Sequence, residues 1–154
     1  LFNALFQMTS EKKLKEIFQV NYFSQIYLTQ IISRGMAKNK NGNIIFVSST
    51  SGIAGDAGRF AYSSTKASII NTVRTLSKEL SNYNIRVNAV SPGLTKTDLM
   101  TSNTKKDIIN SEVQKISLKR VANTNEIANV ILFLASDRSS YINGQNIIAD
   151  GGYL

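Results

Sequence analysis

The 154 residues include no cysteine and no histidine. The first absence removes any disulfide frame and any thiolate chemistry. The two together leave a zinc site without its usual ligands and a Ser-His triad without its base. Chemistry on this chain must therefore come from hydroxyls, amides, carboxylates and amines, and no metal is expected. No apolar run approaches the ~20 residues that span a bilayer, and no basic stretch leads into an apolar one near Leu1. The expectation is a soluble, cytoplasmic protein with no membrane partner. Acidic residues are scarce, 10 against 18 Lys and Arg, for a net charge of +8. The lysines are nevertheless scattered: Lys12, Lys13 and Lys15, then Lys38 and Lys40, then Lys105 and Lys106. No aromatic residues interleave them, which argues against nucleic acid. Solvated helix faces are the plainer reading, with attraction to an acidic substrate or carrier as the alternative. The length suits one domain.

What is present concentrates in the middle of the chain. Phe60 to Lys66 reads Phe-Ala-Tyr-Ser-Ser-Thr-Lys, so Tyr62 and Lys66 are four apart and share one face of a helix. A phenol titrates near pH ~10 and exchanges protons poorly at neutral pH unless a cation favours its phenolate, a task open to Lys66. Taken alone, such a pair is more often a solvated helical contact. Upstream, Gly42 to Ser49 is a short β-branched apolar run ending in hydroxyls, the pattern of a buried parallel strand. Ligand crevices of open α/β sheets lie just beyond the carboxyl ends of such strands, which brings Ser48 or Ser49 to one. Alternation sends the two serines to opposite faces.

Other segments follow the same alternation of helix and strand. From Thr9 to about Ala37, apolar residues including Leu14, Ile17, Phe18, Ile26 and Ile31 recur at helical spacing after Thr9 and Ser10 as candidate caps, predicting one long helix. Asn21 falls inside it, where asparagine is a mediocre helix former; composition alone favours an exposed side chain. After the first strand, Gly52, Gly55 and Gly58 punctuate a ten-residue loop. It serves equally as a pocket rim or as an ordinary surface loop, and it is not a G-x-G-x-x-G phosphate turn. A helix is predicted from about Phe60 to Tyr83 with Ala67, Ile70, Val73, Leu76 and Leu80 inward. A strand follows over Ile85 to Val90, with Pro92 ending it and Gly93 allowing close backbone approach. Leu99 to Leu118 is polar with scattered Ile and Val and reads as a helical lid. Thr124-Asn125-Glu126 caps an apolar helix of Ile127, Val130, Ile131, Phe133 and Leu134. The sequence closes through Tyr141 to Gly152.

A serine at a strand end, a glycine-bearing loop and Tyr-x-x-x-Lys thirteen positions after Ser49 resemble the short-chain dehydrogenase/reductase family. Val20-Asn21, the run Val87-Asn88-Ala89-Val90-Ser91-Pro92-Gly93 with Thr95 and Thr97 beyond, and the closing Asp150-Gly151-Gly152 match it too. The resemblance implies a Rossmann-like doubly wound parallel α/β sheet and an NAD- or NADP-dependent oxidoreductase acting on a carbonyl or secondary alcohol. Tyr62 would exchange the proton, Lys66 would support it, Ser49 would hold the substrate oxygen and Asn21 would anchor a relay water. Tyr62, Lys66, Pro92, Gly93, Thr95 and Thr97 would lie against the nicotinamide side of the cofactor. Within the family the chain is most similar to 3-oxoacyl-acyl-carrier-protein reductases of fatty acid biosynthesis, with sugar or polyol dehydrogenases as the alternative. Partners implied are a small-molecule or acyl-carrier-bound substrate and further copies of the chain, as a homodimer or homotetramer.

Only the carboxyl-terminal part of the family pattern is found. The first strand, its glycine turn and the residue selecting NAD or NADP are missing, so residues 1–154 are expected to form a partial domain lacking the amino-terminal phosphate-binding half. The piece alone is expected to be inactive, with a strand edge and apolar faces uncovered. A reading of another class is a non-catalytic fragment or binding module on the same fold.

Overall fold

The computed structural model describes residues 3–98, 100 and 106–154. Three parallel strands form the sheet among these residues, in the order β1 (Gly42–Val47), β2 (Ile85–Pro92), β3 (Asn146–Ala149). Register runs from Gly42 opposite Ile85 to Val47 opposite Val90, and from Ala89 opposite Asn146 to Pro92 opposite Ala149. Parallel neighbours need long crossovers, and helices supply them. Between β1 and β2 lie α3 (Ser51–Ala54) and α4 (Phe60–Leu80); between β2 and β3 lie α5 (Lys106–Lys115) and α6 (Thr124–Ala135). Before β1 come α1 (Glu11–Phe18), a π-helical turn (Gln19–Phe23) and α2 (Ser24–Asn39).

Both sheet faces are covered, which is why the strands read as nearly unbroken apolar runs. On one face Phe46, Ile85, Val87 and Ala89 meet Ile69 and Val73 of α4, with Tyr22, Ile26 and Met36 joining from the helices before β1. On the other, Ile45, Val90 and Ile147 meet Ile127, Val130 and Leu134 of α6. Two polar residues of β2 share this second face and close the end of α6. Arg86 donates to the carbonyls of Leu134, Ser136 and Ile142 at 3.1–3.2 Å, and buried Asn88 spans Ile142 O and Gln145 N.

Several sequence expectations are corrected. The long helix from Ser10 onward is unbroken to Asn39 but not uniform: the Ser24 N–H reaches back five residues to the Gln19 carbonyl, and this wider turn holds Asn21. Helix α4 ends at Leu80, followed by a 3₁₀ turn (Ser81–Tyr83) and Asn84 in the left-handed region at φ 56°. Its inner stripe is Ala61, Thr65, Ile69, Val73 and Ser77, whereas Ala67 is exposed. An apolar tally misses Thr65 and Ser77 because their hydroxyls are satisfied within the helix, on Tyr62 O and Arg74 O. The cap of α6 is Asn123, one residue earlier than read. The supposed loop after β1 contains α3. Strand β2 runs past Val90 through Ser91 and ends at Pro92 as expected, with Pro92 still paired with Ala149. Of the expected lid, 99 and 101–105 lie outside the described residues; α5 forms most of its described portion, 100 and 106–118.

Candidate active site

Strand β1 ends beside β2, and the backbone ladder continues past it: Ser48 N donates to Val90 O at 2.7 Å and Thr50 N to Pro92 O at 3.1 Å. Two strand ends therefore open side by side at the carboxyl edge of the sheet. The pleat separates the serines as alternation requires. Ser48 is buried and its Oγ donates to the Lys66 carbonyl at 2.8 Å, joining β1 to α4. Ser49 lines a cleft of about 850 Å³, its Oγ accepting from Ser51 N at 3.2 Å.

Gly52 settles how α4 meets that edge. A Cβ there would stand 2.7 Å from the Lys66 carbonyl carbon and 2.8 Å from Ala67 N, so only glycine lets α3 lie on the helix at this height. The contact holds the first turns of α4 against the end of β1, and both Tyr62 and Lys66 face the cleft. Lys66 Nζ donates to Val47 O at 2.9 Å and stands 5.6 Å from the centre of the Tyr62 ring. Burial pushes its ammonium below the ordinary lysine range.

The facing wall is the turn after β2. Gly93 N donates to Ala149 O at 3.0 Å, and a Cβ on Gly93 would be 2.7 Å from the Asp150 side chain, which fixes this residue as glycine through close approach. Thr95 folds its hydroxyl onto Gly93 O at 3.0 Å and pairs with Ala122; Thr97 accepts from Met100 N at 3.2 Å. Pro92, Gly93, Thr95 and Thr97 all line the cleft. Seven of the eight residues singled out in the sequence thus share one cavity. Asn21 is not among its lining residues. It sits in the π turn, which Tyr22 ties to α4 by a 2.9 Å bond to Thr72, and its carbonyl accepts from Gln25 Nε2 at 2.5 Å.

A family model of the short-chain dehydrogenase type, described as enoyl-(acyl carrier protein) reductase, matches residues 2–154. The chain belongs to the short-chain dehydrogenase/reductase family. Among its relatives, it is 41% identical over 152 residues to the 3-oxoacyl-[acyl-carrier-protein] reductase FabG of Thermotoga maritima, covering 99% of this chain and 61% of that protein. It is 37% identical over 150 residues to the reductase MabA of Mycobacterium tuberculosis, covering 97% and 60%. Among solved structures, the 3-oxoacyl-[acyl-carrier protein] reductase of Brucella melitensis superposes with a TM-score of 0.94 at 27% identity, over 99% of this chain and 58% of that one. A 4-hydroxyisoleucine dehydrogenase mutant complexed with NADH and succinate gives 0.93 at 26%, over 99% and 64%. The chain spans about three fifths of the length of the curated relatives it matches.

The cleft has a third wall, made partly by the expected lid and partly by a residue the sequence did not single out. Helix α5 contributes Ile109, Glu112 and Lys115, and Tyr153 closes in from beyond β3. Glu112 accepts from Lys115 Nζ at 2.7 Å and from the Tyr153 hydroxyl at 2.8 Å; these bonds hold its carboxyl below the usual range and push the Tyr153 phenol above its own. Asp56 and Arg59 face them from the glycine loop, 3.5 Å apart, with Asp56 also accepting from Ser51 Oγ at 2.5 Å. The i, i+3 spacing of Glu112 and Lys115 was visible in the sequence, but the partner 41 residues on was not.

Proposed function

We propose that this chain carries the catalytic and substrate side of an NAD- or NADP-dependent oxidoreductase, acting most like a 3-oxoacyl-acyl-carrier-protein reductase in fatty acid biosynthesis. The observation that carries the reading is the convergence of Ser49, Tyr62, Lys66 and the Pro92 to Thr97 turn on one cleft at the carboxyl ends of parallel strands. The named relatives at 37–41% identity favour this substrate class over a sugar or polyol. Four functional side-chain types kept at the family's spacings also speak against a binding module without turnover. Residues 1–154 are read as a partial domain; they contain no glycine-rich phosphate turn, so the chain by itself is inactive on this account.

The donor set suits the nicotinamide side of a dinucleotide: the Lys66 ammonium and the Thr95 and Thr97 hydroxyls match ribose hydroxyls and phosphate oxygens. When bound, the cofactor supplies the hydride. Ser49 hydrogen-bonds the substrate oxygen and orients it. Tyr62 gives that oxygen its proton as charge develops there, and the Lys66 ammonium favours the phenolate left behind. Asn21 is assigned to a relay water that returns the proton; its place in the π turn, packed on α4, supports an indirect role. Cytoplasmic location accords with this chemistry, and among the described residues no helix is long and apolar enough to cross a membrane.

Association as a homodimer or homotetramer belongs to the same proposal. The helices before β1 leave Val20, Tyr27, Leu28 and Ile31 more than half exposed, an apolar face that a second copy would cover.

The test uses the full-length protein that contains this chain. Tyr62→Phe is expected to leave nucleotide affinity within about twofold while lowering kcat by at least ~100-fold, the usual weight of a general acid-base group. Turnover within a few-fold of the parent would overturn the assignment.

A further inference from the structure

The segment after β3 does more than end a strand. Asp150 packs on Gly93 of the cleft's facing wall and accepts from Gly152 N at 2.9 Å and Leu154 N at 3.0 Å, which curls the segment back on itself. Gly151 and Gly152, at φ 68° and 78°, then pass close under the end of α5. Their carbonyls take Leu118 N at 3.1 Å, Ser117 N at 3.2 Å and Ser117 Oγ at 2.8 Å, beside fully buried Ile116. A side chain at Gly152 would meet Ser117 Oγ at 2.8 Å and its Cβ at 2.9 Å, so the Ser117 side chain occupies the space beside this glycine. Tyr153 then reaches Glu112, one turn further up α5, and lines the cleft with it.

These contacts connect three things in series: the turn that faces Tyr62, the segment 150–154, and the helix that walls the substrate side. Within α5 and the cleft, Glu112 has one oxygen on Lys115 and the other on Tyr153. Both oxygens are engaged by groups of the chain itself, one of them from the segment beyond β3, which argues for a positioning pair.

We propose that Tyr153, acting through Glu112, is a positioning residue that holds α5 at a fixed height over the cleft, and so sets how tightly the carbonyl substrate is bound without taking part in proton transfer. The proposal rests on the reductase reading above for its kinetic consequence, and on geometry alone for its structural one. The catalytic Tyr62 and Lys66 are anchored separately, on β1 and α3, so loosening α5 leaves them in place.

In the full-length protein, Tyr153→Phe deletes only the hydroxyl, and Glu112→Ala deletes its acceptor. Each is expected to raise KM for a 3-oxoacyl thioester about tenfold, the size of one hydrogen bond to a charged acceptor, with kcat and the nucleotide KM within about twofold. The double variant is expected to be no worse than the worse single one, because both remove the same bond. Glu112→Gln keeps an acceptor and is expected to restore most of the affinity. An unchanged KM in Tyr153→Phe, or additive losses in the double variant, would overturn the proposal. Amide exchange followed by mass spectrometry separates the two readings: Tyr153→Phe should speed exchange across 106–117 by at least about fivefold and leave 60–80 unchanged. If the parent protein reduces no such thioester, the functional reading falls while the exchange result still decides the latch. Unaltered exchange would overturn the latch whatever the activity.

Discussion

Gly52 and Gly35 show how much a single hydrogen can mean, depending on where it lies. At Gly52 a methyl group would run into the backbone of α4 at Lys66, and backbone cannot swing aside as a flexible side chain would. Gly52→Ala should therefore separate α3 from α4, lowering stability by roughly 1–3 kcal/mol as other overpacked sites do. Activity should fall further than stability explains, since Lys66 moves with the helix. Gly35, inside α2, has nothing within 4 Å of where its Cβ would be. Gly35→Ala removes only chain entropy from the unfolded state and should stabilise by up to about 1 kcal/mol with kinetics unchanged. Thermal melts and initial rates on the two variants check both statements; equal effects from the two would refute the packing argument. The sequence showed Tyr62, Lys66 and Ser49 because spacing along one helix or one strand is a local property. It could only hold the role of Gly52 even between rim and loop, since what a glycine touches depends on a helix fourteen residues away in the chain.

Helix α6 is pinned at its start by Glu126, whose carboxylate takes both Arg120 nitrogens at 2.7 Å and the Asn123 N–H at 2.8 Å. The Arg120 guanidinium first, and the Asn123 amide second, hold its pKa at about 2 against 4.5 for a free side chain. A depressed carboxyl contributes stability at pH values above its unfolded pKa and loses it as pH falls toward the folded one, so the window runs from about 4.5 down to about 2. Glu126→Gln should lower the melting temperature by a few degrees at pH 7, and the gap between variant and parent should narrow steadily below pH 4.5. Circular dichroism melts at pH 7, 4 and 3 test this, and a gap constant with pH would refute it. At this level the sequence was a good guide to which elements exist and a poor one to their edges. The apolar periodicity of α2, α4 and α6 and the β-branched runs of β1 and β2 are strong signals. The cap shifted from Thr124 to Asn123 because either side chain suits the position. The π turn was invisible because one extra residue in a turn leaves the apolar spacing almost unaltered. The lid helix α5 was expected, but the share of Tyr153 in the third wall was illegible for a different reason: α5 meets the segment after β3 only through tertiary contact.

For the molecule as a whole, the distribution of apolar surface is uneven. Val20 and Ile31 are 69% and 67% exposed, on helices whose other sides already pack on the sheet core. If a second copy covers that face, Val20→Lys combined with Ile31→Lys in the full-length protein should shift it toward monomer by at least tenfold in dissociation constant, with the circular dichroism spectrum unchanged. Light scattering at micromolar concentration reads the result. A parent that is already monomeric, or a variant that associates as before, would refute the interface. The register of the sheet carries one more consequence, this time for the time the chain needs to reach its structure. Gly42 meets Ile85 and Ala89 meets Asn146, so neither strand pairing can form until a helical crossover has closed a long loop. Helices such as α4 coil within microseconds, but chains dominated by such distant pairings fold slowly. The carboxyl edge where Ser49 stands beside Pro92 thus takes shape late, after the helices that will supply Tyr62 and Lys66 have already formed.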